Sequence, residues 1–247
     1  MRVEAKKVGA KQGLQWIING FYLFRKSPVT WILLCAILMS IAVILSSIQA
    51  AGQIIFTLLS PVFLAGLMSG CNALEQDKKL QISHLFAGFM FSPIPLVTAG
   101  GIYLIGQLLI IGLAMLVGGG ALMDLLFNGT RVSENELRTV SGDMLSASLV
   151  LLTLSIPLMM ATWFAPPLII FNNIAPYAAM RKSFFACLLN FLPLQIYIIS
   201  FTVLIIIASA IPYGLGLLIL IPTLFSSIYA SYRGIFFDIT EDNLLEE

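Results

Sequence analysis

The chain has one histidine, His84, and pairing it with Ser69 is the only scheme its apolar regions offer for a serine nucleophile with a base. Ser69 lies in Gly66-Leu67-Met68-Ser69-Gly70, which is not the spacing of a nucleophile elbow on a strand-to-helix turn. Helix packing accounts for Ser69 better. No Cys or carboxylate stands at ligand spacing from His84. Cys35, Cys71 and Cys187 fall in or beside apolar runs, where a thiol acts as a small apolar filler. No metal, cofactor or disulfide framework is expected. Gly118-Gly119-Gly120 has no strand before it and no basic residue after it, so it reads as a helix stop and not as a phosphate loop. Asn128-Gly129 reads as a turn, and a helical stretch near 132–139 would carry Glu134 and Glu136 into water.

The strongest polar grouping is Asn172-Asn173, surrounded by Pro157, Pro166, Pro167 and Pro176. Proline frees backbone carbonyls and asparagine supplies both donors and acceptors, so a polar pocket in a broken helix is one reading. Cross-helix bonding near the membrane surface is the favoured one, because Asn72 stands at the matching end of another apolar run.

These residues must be positioned by elements suited to lipid, since 59% of the 247 residues are hydrophobic and 10% are charged, against about 25% charged in a soluble domain. Uncharged runs near 29–50, 53–74, 95–119, 144–172, 193–212 and 214–232 each approach the roughly 20 residues that span a bilayer as a helix. The expected fold is therefore all-α: a polytopic integral membrane protein with six transmembrane helices in one domain, 1–247. Strands are excluded because several runs are continuously apolar where a barrel strand would alternate. Ser47-Ile48-Gln49-Ala50 loosely resembles a signal-peptide cleavage site, but 28 residues precede the apolar core, so the first run is expected to be retained.

No ionisable side chain lies well inside any run. Proton and ion relays need such groups, so a proton-coupled pump is not expected. Eleven of the 13 basic residues fall before the first run, after the second and fourth, and at the end of the sixth. The segment 120–143 is net acidic. The bias of Lys and Arg toward the inner side places both termini in the cytoplasm and 120–143 in the periplasm. No nucleic-acid partner is expected.

An aromatic segment ending in proline precedes three of the runs, at 16–28, 83–93 and 183–193, which suggests a weak threefold repeat. Each copy reads as an amphipathic helix lying in the cytoplasmic interface. In the first, Leu14, Ile17, Ile18, Phe21 and Phe24 share a face expected to enter lipid, with Trp16, Phe21, Phe24 and Trp31 as interfacial anchors. The second, fourth and sixth runs contain Pro61, Pro166 with Pro167, and Pro222. Gly66 with Gly70, and Ser227 with Ser231, are four apart, a spacing that lets helix backbones approach closely in lipid. These helices are expected at the centre.

The pattern Trp16, Gly20-Phe21, Leu23-Phe24-Arg25, Pro28 and Trp31, followed by Leu85-Phe86-Ala87-Gly88-Phe89, resembles a family of proteobacterial six-helix membrane proteins of uncharacterised role. It is more distantly similar to the membrane domain fused to some glycerophosphodiester phosphodiesterases. The resemblance covers nearly the whole chain, implies a bacterial inner membrane, and transfers no active-site residue. The expected role is non-enzymatic: an accessory, scaffold or assembly partner of a membrane complex or of lipid, with membrane lipid and a membrane protein as partners. The alternative is a small transporter or channel for a neutral or amphipathic solute, using Asn172 and Asn173.

Overall fold

The computed structural model describes residues 4–119 and 134–237, and among them every regular element is helical. In chain order these are α1 (Gln12–Lys26), α2 (Pro28–Ser46), α3 (Gln49–Glu75), a 3-10 turn (Ile82–Phe86) running into α4 (Ala87–Phe91), and α5 (Pro93–Ala114). There follow α6 (Glu134–Trp163), α7 (Ala165–Asn172), α8 (Pro176–Leu189), α9 (Phe191–Ser209) and α10 (Leu215–Phe236). Six segments are long and apolar enough to cross a membrane, the fourth formed by α6 and α7 together over Met144–Asn172. The chain is an all-α polytopic membrane protein. Asn128-Gly129 and the tail from Asp238 lie outside the described residues.

Each short helix is separated from the span behind it by one non-helical residue. Ser27 (φ −154°) and Ser92 (φ −151°) break the chain, and Pro28 and Pro93 open the next helix, where a missing N–H costs nothing. The third break is at Asn190 (φ −112°), two residues earlier than alignment on Pro193 would place it. The cause is the Asn190 side chain, which donates to the Ala186 carbonyl at 3.1 Å and ends the helix itself. Pro193 then sits within the first turn of α9, whose N–H groups have no helical acceptor. Aligned on these breaks, the repeat sharpens. Four residues on stand Trp31, Leu96 and Leu194, and seven on stand Leu34, Ala99 and Tyr197, all buried. The residue seven before each break, Gly20, Leu85 or Ser183, is buried too.

Taking each unit as a short segment followed by an outer span and then a proline-containing inner span, those buried positions dock each short segment on the inner span of the preceding unit, and the set closes in a ring. Leu85 of the second segment meets Gly66 on α3, and Gly88 meets Val62. Ser183 of α8 bonds Met160 and Phe164 at the α6/α7 junction. Gly20 of α1 lies against Ser227 of α10. Gly66 and Ser227 each follow a helix-interior proline, Pro61 or Pro222, by five residues. In the second unit the contact falls just after Pro157, so Pro157 and not Pro166 is the matching proline. Two of the proline-containing spans are central: 44% of an apolar 18-residue stretch of α3 and 56% of one in α10 are buried, against 6% of the corresponding stretch of the fourth span, whose burial is concentrated at Phe164, Leu168 and Ile169 and which was also expected at the centre.

Candidate functional site

The fourth span breaks at Phe164 (φ −105°, ψ 2°) because Pro166 and Pro167 follow it. Neither can donate to the preceding turn, and both crowd it. In place of a direct bond between Phe164 N–H and the Met160 carbonyl, the Ser183 hydroxyl is inserted. It accepts from Phe164 N–H at 2.9 Å and donates to Met160 O at 2.6 Å. Ser183 is wholly buried. Burial also pushes the neighbouring Cys187 thiol, on α8 outside the spans, up to about 12, so it is held as an unreactive thiol. Phe236 meets Phe164 edge-on at 5.8 Å. The break is thus packed shut. Ser183→Ala should cost about 1–3 kcal/mol, the usual penalty of leaving buried partners unpaired. Ser148→Ala, which removes only a bond within its own helix to Met144 O, should leave the melting temperature in detergent unchanged. Equal melting of the two variants would refute the inserted hydroxyl's role.

The polar groups at the ends of the inner spans bond one another. Tyr232 donates to Asn172 Oδ1 at 2.6 Å. Tyr229 donates to Glu75 Oε2 at 2.6 Å and stands 3.1 Å from Asn72 Oδ1. Arg233 Nε lies 3.2 Å from the Glu75 carboxylate, and its guanidinium sits 4.8 Å over the Phe237 ring. Phe171 contacts both tyrosines, at 6.2 and 5.9 Å. Asn173 adopts the left-handed conformation (φ 50°) that asparagine tolerates, and ends α7 by donating its N–H to Ile169 O at 3.0 Å. The structure therefore joins Asn172 to α10 and Asn72 to a Tyr–Glu–Arg cluster, and leaves Asn173 exposed as a cap. Glu75, Tyr229, Tyr232 and Arg233 escaped the sequence reading. A signal was present: Tyr232 and Arg233 stand three and four residues after Tyr229, on one helical face.

Of the expected lipid anchors, only Phe21 fits the reading, at 40% exposed. Trp16 (1%), Phe24 (5%) and Trp31 (0%) are buried in the protein. The docked face of α1 is Gly13, Trp16, Gly20 and Phe24, while Leu14, Ile18, Phe21 and Tyr22 stay exposed. The correction has a physical origin: a helix lying on a bundle in lipid has apolar neighbours on two sides. Gly66, Gly70, Ser227 and Ser231 are buried. Gly66 and Ser227 each receive a short segment, and Ser227 also bonds the Tyr197 hydroxyl of α9 at 2.7 Å. His84 turns Nδ1 to the Gln81 N–H at 3.0 Å, and among the described residues it has no bond to Ser69 and no metal-ligand cluster around it.

At the basic end of the bundle, residues 4–10 lie across α8 and α10 as an extended strap. Lys6 N–H donates to Ile235 O at 2.9 Å. Buried Asn190 accepts from Val8 N–H and donates to Lys6 O, both at 2.8 Å. Between strap and helix runs a groove of about 400 Å³ lined by Glu4, Ala5, Ala178, Arg181, Lys182, Phe185 and Leu189. A second, of about 490 Å³, is bounded by Lys26, Ser27, Thr30, Lys78 and Lys79, with Lys26 held 2.8 Å from Asp77.

Fold and polar ends together define a multi-pass helical membrane protein whose described intramembrane polar groups are largely committed to one another. Comparison with known proteins agrees with that class. The chain is 27% identical, over 93% of its own length and 93% of the relative's, to a Burkholderia thailandensis protein named "Probable inner membrane protein". No protein-family model and no solved structure matches it.

Proposed function

We infer that this chain is a non-enzymatic bacterial inner-membrane protein that serves as an accessory, scaffold or assembly partner of a membrane complex. The observation that carries the reading is a stripe on α6. Leu145, Leu149, Leu152, Ile156 and Met159 recur at alternating spacings of four and three, each 53–62% exposed. That heptad period is the one with which a second helix interlocks. In lipid such a seam is held by van der Waals contact with another helix. A photoreactive residue at Leu152, in protein expressed in its native membrane, should capture a partner polypeptide that co-purifies in mild detergent. Capture of lipid alone by a protein that purifies as a monomer would overturn the reading.

The transporter alternative would need a polar opening at the helix break. Ser183 fills that break and Asn172 is bonded to Tyr232, so both features support the accessory role. Solute-selective flux in reconstituted vesicles would reverse the preference.

The basic end belongs in the cytoplasm in this reading, since it holds Lys26, Lys78, Lys79, Arg181, Lys182 and Arg233. With the native cysteines removed, Asn135→Cys should react with an impermeant thiol reagent in intact cells and Lys79→Cys should not. The reverse pattern would invert the orientation.

A further inference from the structure

We propose that the groove between the strap and α8 is a binding site for one anionic phospholipid, with the phosphate on Arg181 and Lys182 and an acyl chain along Phe185 and Leu189. The site goes beyond the accessory reading and is independent of it.

The helix α8 lies between the end of the fourth span at Asn172 and the start of the fifth at Phe191, which puts it at the membrane surface at headgroup depth. One side of it is docked, through Ala179, Ser183, Ala186 and Cys187. The groove side, Ala178, Arg181, Lys182, Phe185 and Leu189, follows a helical spacing and turns away from the bundle. It joins basic heads to an apolar floor, as a phospholipid joins a phosphate to an acyl chain.

The wall facing it is preformed. The strap is fixed by Asn190 and by the backbone of α10, so the groove needs no ordering before it is filled. Arg181 is exposed, sits 5.8 Å over the Phe185 ring, and has no carboxylate partner among the described residues. Its fork of donors fits a phosphate bidentately. The other charged group in the lining is Glu4, so Arg181, Lys182 and Glu4 sum to +1. Arg181, exposed and without a carboxylate partner among the described residues, supplies the cation that a phosphodiester with a single negative charge needs. The second groove is more basic, but Lys26 is already held by Asp77 and Lys78 by Gln76.

The test is equilibrium binding of fluorescent phosphatidylglycerol to the purified full chain in neutral detergent. Saturable binding is expected, with phosphatidylcholine at least tenfold weaker and no displacement by excess inorganic phosphate. Arg181→Gln should weaken it about fivefold, equivalent to about 1 kcal/mol. Phe185→Ala, at a side chain 55% exposed, should weaken it without lowering the melting temperature. Lys79→Glu in the second groove should have no effect. Equal binding of phosphatidylcholine, displacement by phosphate, or unchanged binding in either groove variant would overturn the site. Bound lipid with no protein partner would sustain it while refuting the accessory reading.

Discussion

A Gly66→Leu variant should fail to hold its fold in mild detergent or melt far below wild type. At Gly66 an added Cβ would collide with the backbone carbonyl oxygens of Leu85 and His84, which cannot swing aside as a side-chain end can. Overpacking a well-filled site costs roughly 1–3 kcal/mol when neighbours can relax, and here the neighbour is a segment wedged between two spans. Gly70→Leu should cost less, because its first obstacle is Leu80 Cδ1 at 2.7 Å, the tip of a side chain. Gly106→Leu meets only the Leu158 methyls at 3.0 and 3.1 Å and should cost least. Thermal unfolding of the three variants reads the order directly. Indistinguishable melting temperatures would show that the turn at Ile82–Phe86 does not dock on α3 as described.

Trp16→Ala should cost about 3–5 kcal/mol, the range for emptying a buried aromatic site. Trp16 is 1% exposed, meets Tyr197 edge-on at 6.2 Å, and lies against Gly234 of α10. Its indole N–H has no acceptor among the described residues, so Trp16→Phe, which keeps a ring and removes that donor, should cost much less. Leu14→Ala and Ile18→Ala, at side chains 50% and 45% exposed, should leave unfolding in detergent unaltered. If the two leave the protein as unstable as Trp16→Ala does, α1 is held by lipid and not by the bundle.

The spans were legible because lipid imposes one demand on every residue of a crossing helix, and that demand is written as an uninterrupted apolar run. The Ser-Pro breaks before α2 and α5 were legible because proline acts locally. The third break was misplaced, since Asn190 ends its helix through a side-chain bond that composition does not reveal. Which apolar face of α1 meets protein could not be read, because a hydrophobic pattern separates apolar from aqueous surroundings but not protein from lipid. Trp16 and Leu14 look alike to that pattern and end in opposite environments. The double proline at 166–167 announced a break. The hydroxyl that fills it comes from Ser183, 19 residues past Phe164, and no local rule links the two.

The ring of docked segments also orders events at the ribosome. Segments two and three each find their receiving span already made, on α3 and at the α6/α7 junction. The first has no complete seat until α10 emerges: Gly13 can meet Pro193 and Tyr197 of α9, but Gly20 and Trp16 lie against Ser227 and Gly234. During synthesis α1 must therefore wait at the membrane surface while five spans insert, and its exposed Leu14, Ile18, Phe21 and Tyr22 give it an apolar edge with which to wait there. The first helix translated is the last to find its full seat, and its docking on α10 requires the sixth span to be in place.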